Sequence, residues 1–292
     1  MKITVTGSLG NIGKNLVTNL VAAGQTVTVV TSNENRKSDI EALGATAIVG
    51  SVSHAGFLTK AFTGADAVFA MTPPNLGGAN VVANTTEAGK AFATAFKAAN
   101  VKRVVMLSSI GADLPNGNGP IEGLYHIEQI YNQLEGINIT FLRAGYFYSN
   151  YYNDVPVIKG AGIIGSNLPA TTLIPLVHPQ DIAVAASEEL QKSAGDKIRY
   201  IVSDYRSAAD IAKLFGAAIG KPELPWVEFT DEQALQGMTQ AGVPAEIAQL
   251  YTDMGAGLRA GKIQAHFVQT GAAIAGKTKL EDFAKEYAQA FN

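Results

Sequence analysis

Strand-like and helix-like runs alternate through the first 110 residues, and this alternation limits the architecture more than any other feature of the chain. KITVTG is a short β-branched run. From Asn11 to Ala23 apolar residues recur at helical spacing (Ile12, Leu16, Leu20), and QTVTVVT follows as a second strand. A short helix over Asp39–Leu43, a strand in ATAIVG, a helix in GFLTKAF and a strand in DAVFAM continue the series. NTTEAGKAFATAFKAAN then places Ala88, Phe92, Ala95, Phe96 and Ala99 on one helical face, and VKRVVMLSS is the fifth strand. Parallel strands joined by helices need both sheet faces covered, and the handedness of the crossovers makes this a doubly wound α/β fold.

Farther on, a helix is expected over Ile121–Leu134 and a sixth strand in GINITFLRAG. LIPLVHPQDIAVAASEEL reads as a strand and a helix, KIRYIVSD as a seventh strand. From Tyr205 helices dominate, with Pro222 and Pro225 breaking between them. The expected division is a first domain over residues 1–150, to which 176–204 returns, and a smaller, mainly helical lobe from 151–175 and 205–292. At 292 residues, 47% hydrophobic and 16% charged, the chain can bury a large core. A net charge of −3 provides no basic field for nucleic acid or a membrane surface. With no cysteine, disulfides and thiolate chemistry are absent, and the four histidines are too dispersed in sequence for a short metal motif, so no metal is expected. No apolar run approaches the ~18 residues of a membrane span, and a cytoplasmic location is expected; nothing indicates an oligomeric state.

The turn after the first strand reads TGSLGNIG, with Gly7, Gly10 and Gly13 spaced three apart. A helix N-terminus leaves N–H groups unpaired and attracts phosphate, and glycine lets the backbone approach it. Gly7 suits the tight turn, Gly10 the pyrophosphate, and Gly13 close packing of helix on strand. In this βαβ context Gly7, Ser8, Gly10, Asn11, Ile12 and Gly13 are expected to cradle a dinucleotide in a Rossmann fold. At the end of the second strand, VVTSNENRKS offers Thr31, Ser32, Asn33, Arg36 and Lys37. An acidic residue at the strand end marks NAD, whereas hydroxyls and cations suit a 2′-phosphate, so NADP(H) is favoured over NAD(H), with Glu34 as the contrary sign.

With these segments in place, the chain resembles the NmrA-like family of the atypical short-chain dehydrogenase/reductases. The resemblance is carried in order by TGSLGNIG, GSVSHAGFLTKAFTGADAVF, LSSIGAD, GINITFLRAGYFYSN, VHPQDIA and KTKLEDFAKEY. It is most similar to the branch of bacterial NADPH-dependent quinone and dye reductases, whose relatives include NADP-binding redox sensors without chemistry. Typical dehydrogenases of the wider superfamily carry Tyr-x-x-x-Lys on the helix after the fifth strand; here YHIEQ gives Tyr125 and Gln129. In the family that lysine holds the nicotinamide ribose and lowers the tyrosine pKa. Glutamine carries no charge, and an unassisted tyrosine is ionised in only about one molecule in a thousand at neutral pH. Tyr125 is then a poor base but still an acid, which disfavours alcohol oxidation more than reduction. Ser51 stands in GSVSHAGF where many relatives have an adenine-contacting aspartate, and the resemblance sets Met71, Thr72 and Pro73 of MTPPN beside the cofactor; the two prolines, Pro73 and Pro74, equally suit a rigid turn.

Other residues carry two readings. Ser108 and Ser109 end the fifth strand, where one can orient a substrate carbonyl or serve a turn. Tyr146, Phe147 and Tyr148, followed by Tyr151 and Tyr152, can stack on a flat ring or pack a core. His126 is a proton shuttle or a solvated helix residue; Asn150, His178 and Asp181 read as structural. Tyr251, Met254 and Leu258 at helical spacing form a lid or a core stripe. The expected function is an NAD(P)H-dependent reductase passing hydride to a planar aromatic or quinone-like small molecule, with Tyr125, Gln129 and Ser108 as catalytic candidates. The alternatives are a non-catalytic NADP(H)-binding redox sensor and, disfavoured by the missing lysine, an isomerase or epimerase.

Overall fold

The computed structural model describes residues 1–73 and 78–291. The first half builds the expected series: β1 (Lys2–Val5), α1 (Gly13–Ala22), β2 (Thr26–Thr31), α2 (Lys37–Ala42), β3 (Thr46–Val49), α3 (Ala55–Phe62), β4 (Ala67–Ala70), α4 (Val81–Ala98), β5 (Arg103–Ser109), α5 (Glu122–Tyr131) and β6 (Asn138–Ala144). Then come β7 (Tyr146–Phe147), α6 (Val155–Ala161), β8 (Ile164–Ser166), β9 (Leu173–Val177), α7 (Pro179–Leu190), β10 (Ile198–Ile201) and β11 (Asp204–Ser207). The chain closes with α8 (Ala208–Ala218), β12 (Trp226–Glu228), α9 (Asp231–Gln240), α10 (Ala245–Arg259), α11 (Ala265–Thr270) and α12 (Leu280–Tyr287).

Seven parallel strands lie in the order β10-β6-β5-β4-β1-β2-β3. Alternate side chains divide between two cores, as a sheet covered on both faces requires. Val5, Val29, Phe69, Val105 and Leu142 meet Leu16, Leu20, Ile182 and Ala186 of α1 and α7. Val68, Val104, Met106 and Phe141 meet Phe62, Phe92, Phe96 and Ile127 of α3, α4 and α5, where the phenylalanines stack with one another. The connection order reverses between β1 and β4, so the crevice at the carboxyl ends of β1, β4 and β5 is the site this topology prepares for a ligand.

The remaining elements form a third core that includes Tyr148, Tyr151, Ile211, Phe215, Phe283 and Tyr287. The strand read in LIPLV is present as β9 but pairs with β11 and β7 in a separate three-stranded sheet. A carboxylate ties this region to the chain end: Asp181 accepts from Ser203 Oγ at 2.6 Å and from the Thr278 backbone N–H at 3.0 Å. VHPQDIA does open a helix, with His178 Nδ1 accepting from the Gln180 N–H at 3.1 Å. Among the described residues no helix is long and apolar enough to cross a membrane.

Candidate active site

The glycine loop supports close approach in a way that larger residues would not. Gly7 has φ +96°, and a Cβ there would run into the Met71 side chain; at Gly13 it would overlap the Ser8 carbonyl oxygen. Around Gly10 the nearest atom to such a Cβ is the Gly7 carbonyl oxygen at 3.7 Å, so the loop leaves room on that side. No side chain caps the N-terminus of α1 and no acid occupies its first turn, which leaves its positive end available to a phosphate. These features fit a dinucleotide.

Beside the loop, hydroxyls and a cation converge. Ser8, at φ 54°, donates to Thr31 Oγ1 at 3.1 Å, and Arg36 reaches back to Ser8 Oγ at 3.4 Å. Thr31 Oγ1 receives the Asn33 N–H, and Asn33 Oδ1 caps the following turn by accepting from the Asn35 N–H. Ser32 and Lys37 are exposed nearby. Ser51 is also exposed, and its hydroxyl accepts from the Ser53 N–H at 3.2 Å, closing its own turn.

A cleft of about 420 Å³ opens over the carboxyl ends of β4 and β5. Ile12, Met71 and Pro73 line it from the nucleotide side, with Asn11 and Thr72; Leu107, Ser108 and Ser109 form its β5 edge; Phe147 comes from β7 and Tyr251 from α10. Every one of its polar lining groups is uncharged at neutral pH. Pro74 and Asn75 of the MTPPN segment lie outside the described residues.

The acid–base candidates fare differently. Leu124 of α5 lines the cleft, but Tyr125 is half-buried beside the His126 ring, Gln129 is exposed, and neither lines the cleft. The helix turns Gly123, Ile127 and Glu128 inward instead. His126 lies 3.7 Å from Glu122 and is likewise outside the cleft. Ser108 does line the cleft, yet its hydroxyl donates to the buried Glu128 carboxylate at 2.6 Å, so its proton is not offered to a substrate carbonyl. Ser109 donates to the Ile110 carbonyl at 3.0 Å.

Glu128 was not singled out from sequence, although a glutamate on the helix face shared by Leu124, Ile127 and Tyr131 was the available signal. Arg143 grips it with two hydrogen bonds, of 3.1 and 2.6 Å, and also meets Asp113 and Tyr200. Burial alone would lower the Arg143 pKa, but the bonds and charge of Glu128 outweigh it and hold the guanidinium above its ordinary value. The pair is a fixed post behind β5 that sets the orientation of Ser108.

Of the aromatic run, only Phe147 lines the cleft. Tyr148 is fully buried, donating to the Thr278 carbonyl at 3.1 Å and stacking near Phe283. It is a core residue of the third cluster and does not line the cleft. Tyr146 packs against Tyr151, and burial raises its pKa first of all, with Asp154 and Tyr251 adding to the effect. It too lies outside the cleft lining.

A model of the NmrA-like family matches residues 1–283. The chain belongs to the NmrA-like family. Among curated relatives, it is 28% identical to an NAD(P)H azoreductase of Xenophilus azovorans over 293 aligned positions, 99% of each chain. Its fold is similar to an NADPH-dependent quinone oxidoreductase from Escherichia coli in complex with NADPH, with TM-score 0.81 and 19% identity, covering 99% of this chain and 100% of that one. A triphenylmethane reductase from Citrobacter sp. has the same fold, with TM-score 0.79, 18% identity and the same coverage. This NmrA-like chain therefore shares its whole length with reductases, while its Tyr125 and Gln129 stand off the cleft.

Proposed function

We propose that this chain is an NAD(P)H-dependent reductase, with NADPH favoured, that passes hydride to a planar acceptor such as a quinone. The observation that carries this reading is the cleft itself: one space runs from the glycine loop to the β5 edge and Phe147, lined by apolar and uncharged groups. The azoreductase relative supports it, since an azo dye is also planar and conjugated. The bound dihydronicotinamide supplies the hydride. Gly7, Ser8, Gly10, Asn11, Ile12 and Gly13 hold the pyrophosphate, while Ser8, Thr31, Ser32, Asn33, Arg36 and Lys37 receive a ribose 2′-phosphate. Met71, Thr72 and Pro73 wall the nicotinamide side, and Ser51 lies toward the adenine. The protein's part is placement and exclusion of water, which agrees with a cleft that has no charged acid or base among its described lining residues. Mixing purified protein with NADPH and a panel of quinones, and following the loss of dihydronicotinamide absorbance, tests the reading. Turnover with at least one quinone is expected, faster with NADPH than with NADH.

A second reading has its own support. Because Tyr125 and Gln129 do not line the cleft and Ser108 is bound to Glu128, the chain also suits a sensor that binds NADP(H) without turning it over. Tight and unequal binding of NADP and NADPH, with no turnover of any acceptor, would establish that reading and refute the first.

A further inference from the structure

Among the described residues the cleft has one aromatic hydroxyl, and it comes from α10, not from the helix that carries the superfamily's usual tyrosine. Tyr251 sits on α10 and lines the cleft together with Phe147, Ser108 and Ser109. Both serine protons are directed inward, to Glu128 and to the Ile110 carbonyl. Among the described residues the Tyr251 hydroxyl has no hydrogen-bond acceptor. Burial raises its pKa, so the phenol keeps its proton across the neutral range and acts as a donor. Thr72 and Thr85 also bring hydroxyls to the lining, but an aliphatic alcohol is a weaker donor than a phenol and brings no ring.

The helix that carries Tyr251 is held at two places. At its first turn, the Glu246 carboxylate accepts from the backbone N–H groups of Asn80 and Val81, at 2.7 Å each, and so ties α10 to the start of α4. Near its middle, Gly119 (φ +62°) lets the turn Gly119–Ile121 press against α10. A Cβ there would overlap the Leu250 carbonyl and stand 2.9 Å from Met254 Cβ. Pro120 and Ile121 of that turn line the cleft themselves. A side chain delivered by a helix clamped on both sides is preorganised, which is what an orienting group requires.

We propose that Tyr251 is the hydrogen-bond donor that positions the acceptor, its O–H engaging the oxygen or nitrogen of a planar molecule lying beside Phe147. This rests on the reductase reading above, and it assigns to α10 the contact that the superfamily's usual tyrosine helix does not make here. As charge builds on the acceptor heteroatom the bond strengthens, in the manner of an oxyanion hole. The proton stays on Tyr251 in this role.

Isothermal titration of 1,4-naphthoquinone and of naphthalene into the protein with NADP⁺ separates the hydroxyl from the ring. In Tyr251→Phe the naphthoquinone Kd is expected to rise about tenfold, the worth of one hydrogen bond to a desolvated oxygen, with naphthalene binding altered less than about twofold. An equal loss for both ligands would reduce Tyr251 to a packing ring. Unchanged naphthoquinone binding, or none in the wild type, would also overturn the assignment. Steady-state rates give a second readout: kcat/KM for 1,4-naphthoquinone relative to a cationic triarylmethane dye, whose reducible carbon bears no oxygen, should fall about tenfold in the variant. A constant ratio counts against the proposal. A wild type that turns over no member of the quinone panel would refute the reductase reading, while the binding comparison would still decide the role of Tyr251.

Discussion

Asp154 is a carboxylic acid in the wrong solvent, and its cost can be worked out. It is the residue before α6, where a carboxylate normally caps the first turn, but its side chain makes no capping bond. Its surroundings are the phenols of Tyr146, Tyr151 and Tyr287, whose own pKa values its charge helps to raise. Burial pushes its carboxyl from the ordinary 3.8 up to about 7. The helix dipole favours the anion there by about 0.3–1 kcal/mol, too little to offset desolvation. Because the folded pKa is raised, the benefit of folding with this group is complete below 3.8 and is lost as pH rises through about 7. The interval between the two values corresponds to about 4 kcal/mol.

Asp154→Asn keeps the shape and removes the ionisation. Relative to wild type, the variant should gain about 2.5 kcal/mol of stability between pH 5 and pH 8, the remainder of the difference having accrued below pH 5. Urea unfolding followed by the fluorescence of Trp226, the single tryptophan, measures this directly, and every other titrating group cancels in the comparison. Thermal melts should show the same trend, with the variant's Tm advantage growing by about 5 °C over that range. A stability difference that is flat in pH, or that turns against the variant at pH 8, would show that Asp154 is solvated or paired and refute the reasoning.

Other expectations follow from the same contacts. Glu128→Gln leaves Arg143 buried with only Asp113 as a charged partner; a loss of about 3 kcal/mol in denaturant unfolding is expected. Gly13→Ala drives a Cβ into the Ser8 carbonyl, so NADP⁺ affinity by calorimetry should fall at least about tenfold, more than any change in fold content seen by circular dichroism. Arg36→Ala removes the cation facing Ser8 and should raise the KM for NADPH about tenfold while that for NADH moves less than about twofold.

Legibility differed between the two halves of the chain for a physical reason. A doubly wound sheet is written locally: the 2.0 and 3.6 residue periods, the glycine turn and the Ser-Ser strand end each show in a short window, and β1 through β6 with α1, α3, α4 and α5 stand where those windows put them. The aromatic run carried no such information, because stacking on a ligand and packing a core demand the same side chains. Only the packing decides: Tyr148 joins the third core beside Phe283, whereas Phe147 rests on the first core and lines the cleft. Likewise β9 reads as a strand, but its partners β7 and β11 are set by contacts far apart in sequence.

The acid–base question shows the same limit at one helix. Tyr125 and Gln129 were conspicuous because a motif was incomplete, and motif reasoning ranks residues by spacing. What places a side chain in the cleft is the rotation of α5 about its axis, and that is fixed by what the helix must bury. Here the buried stripe includes Gly123, Ile127 and Glu128, the last held by Arg143. Once a bidentate ion pair occupies the inward face, the residue one step on, Gln129, is turned about 100° away toward solvent, and Leu124 is left to face the cleft. Substituting lysine for Gln129 would restore the motif in sequence without restoring it in space. Gln129→Lys is therefore expected to leave the kcat of any acceptor within about twofold of wild type, whereas a rise of tenfold or more would mean that α5 rotates when cofactor binds.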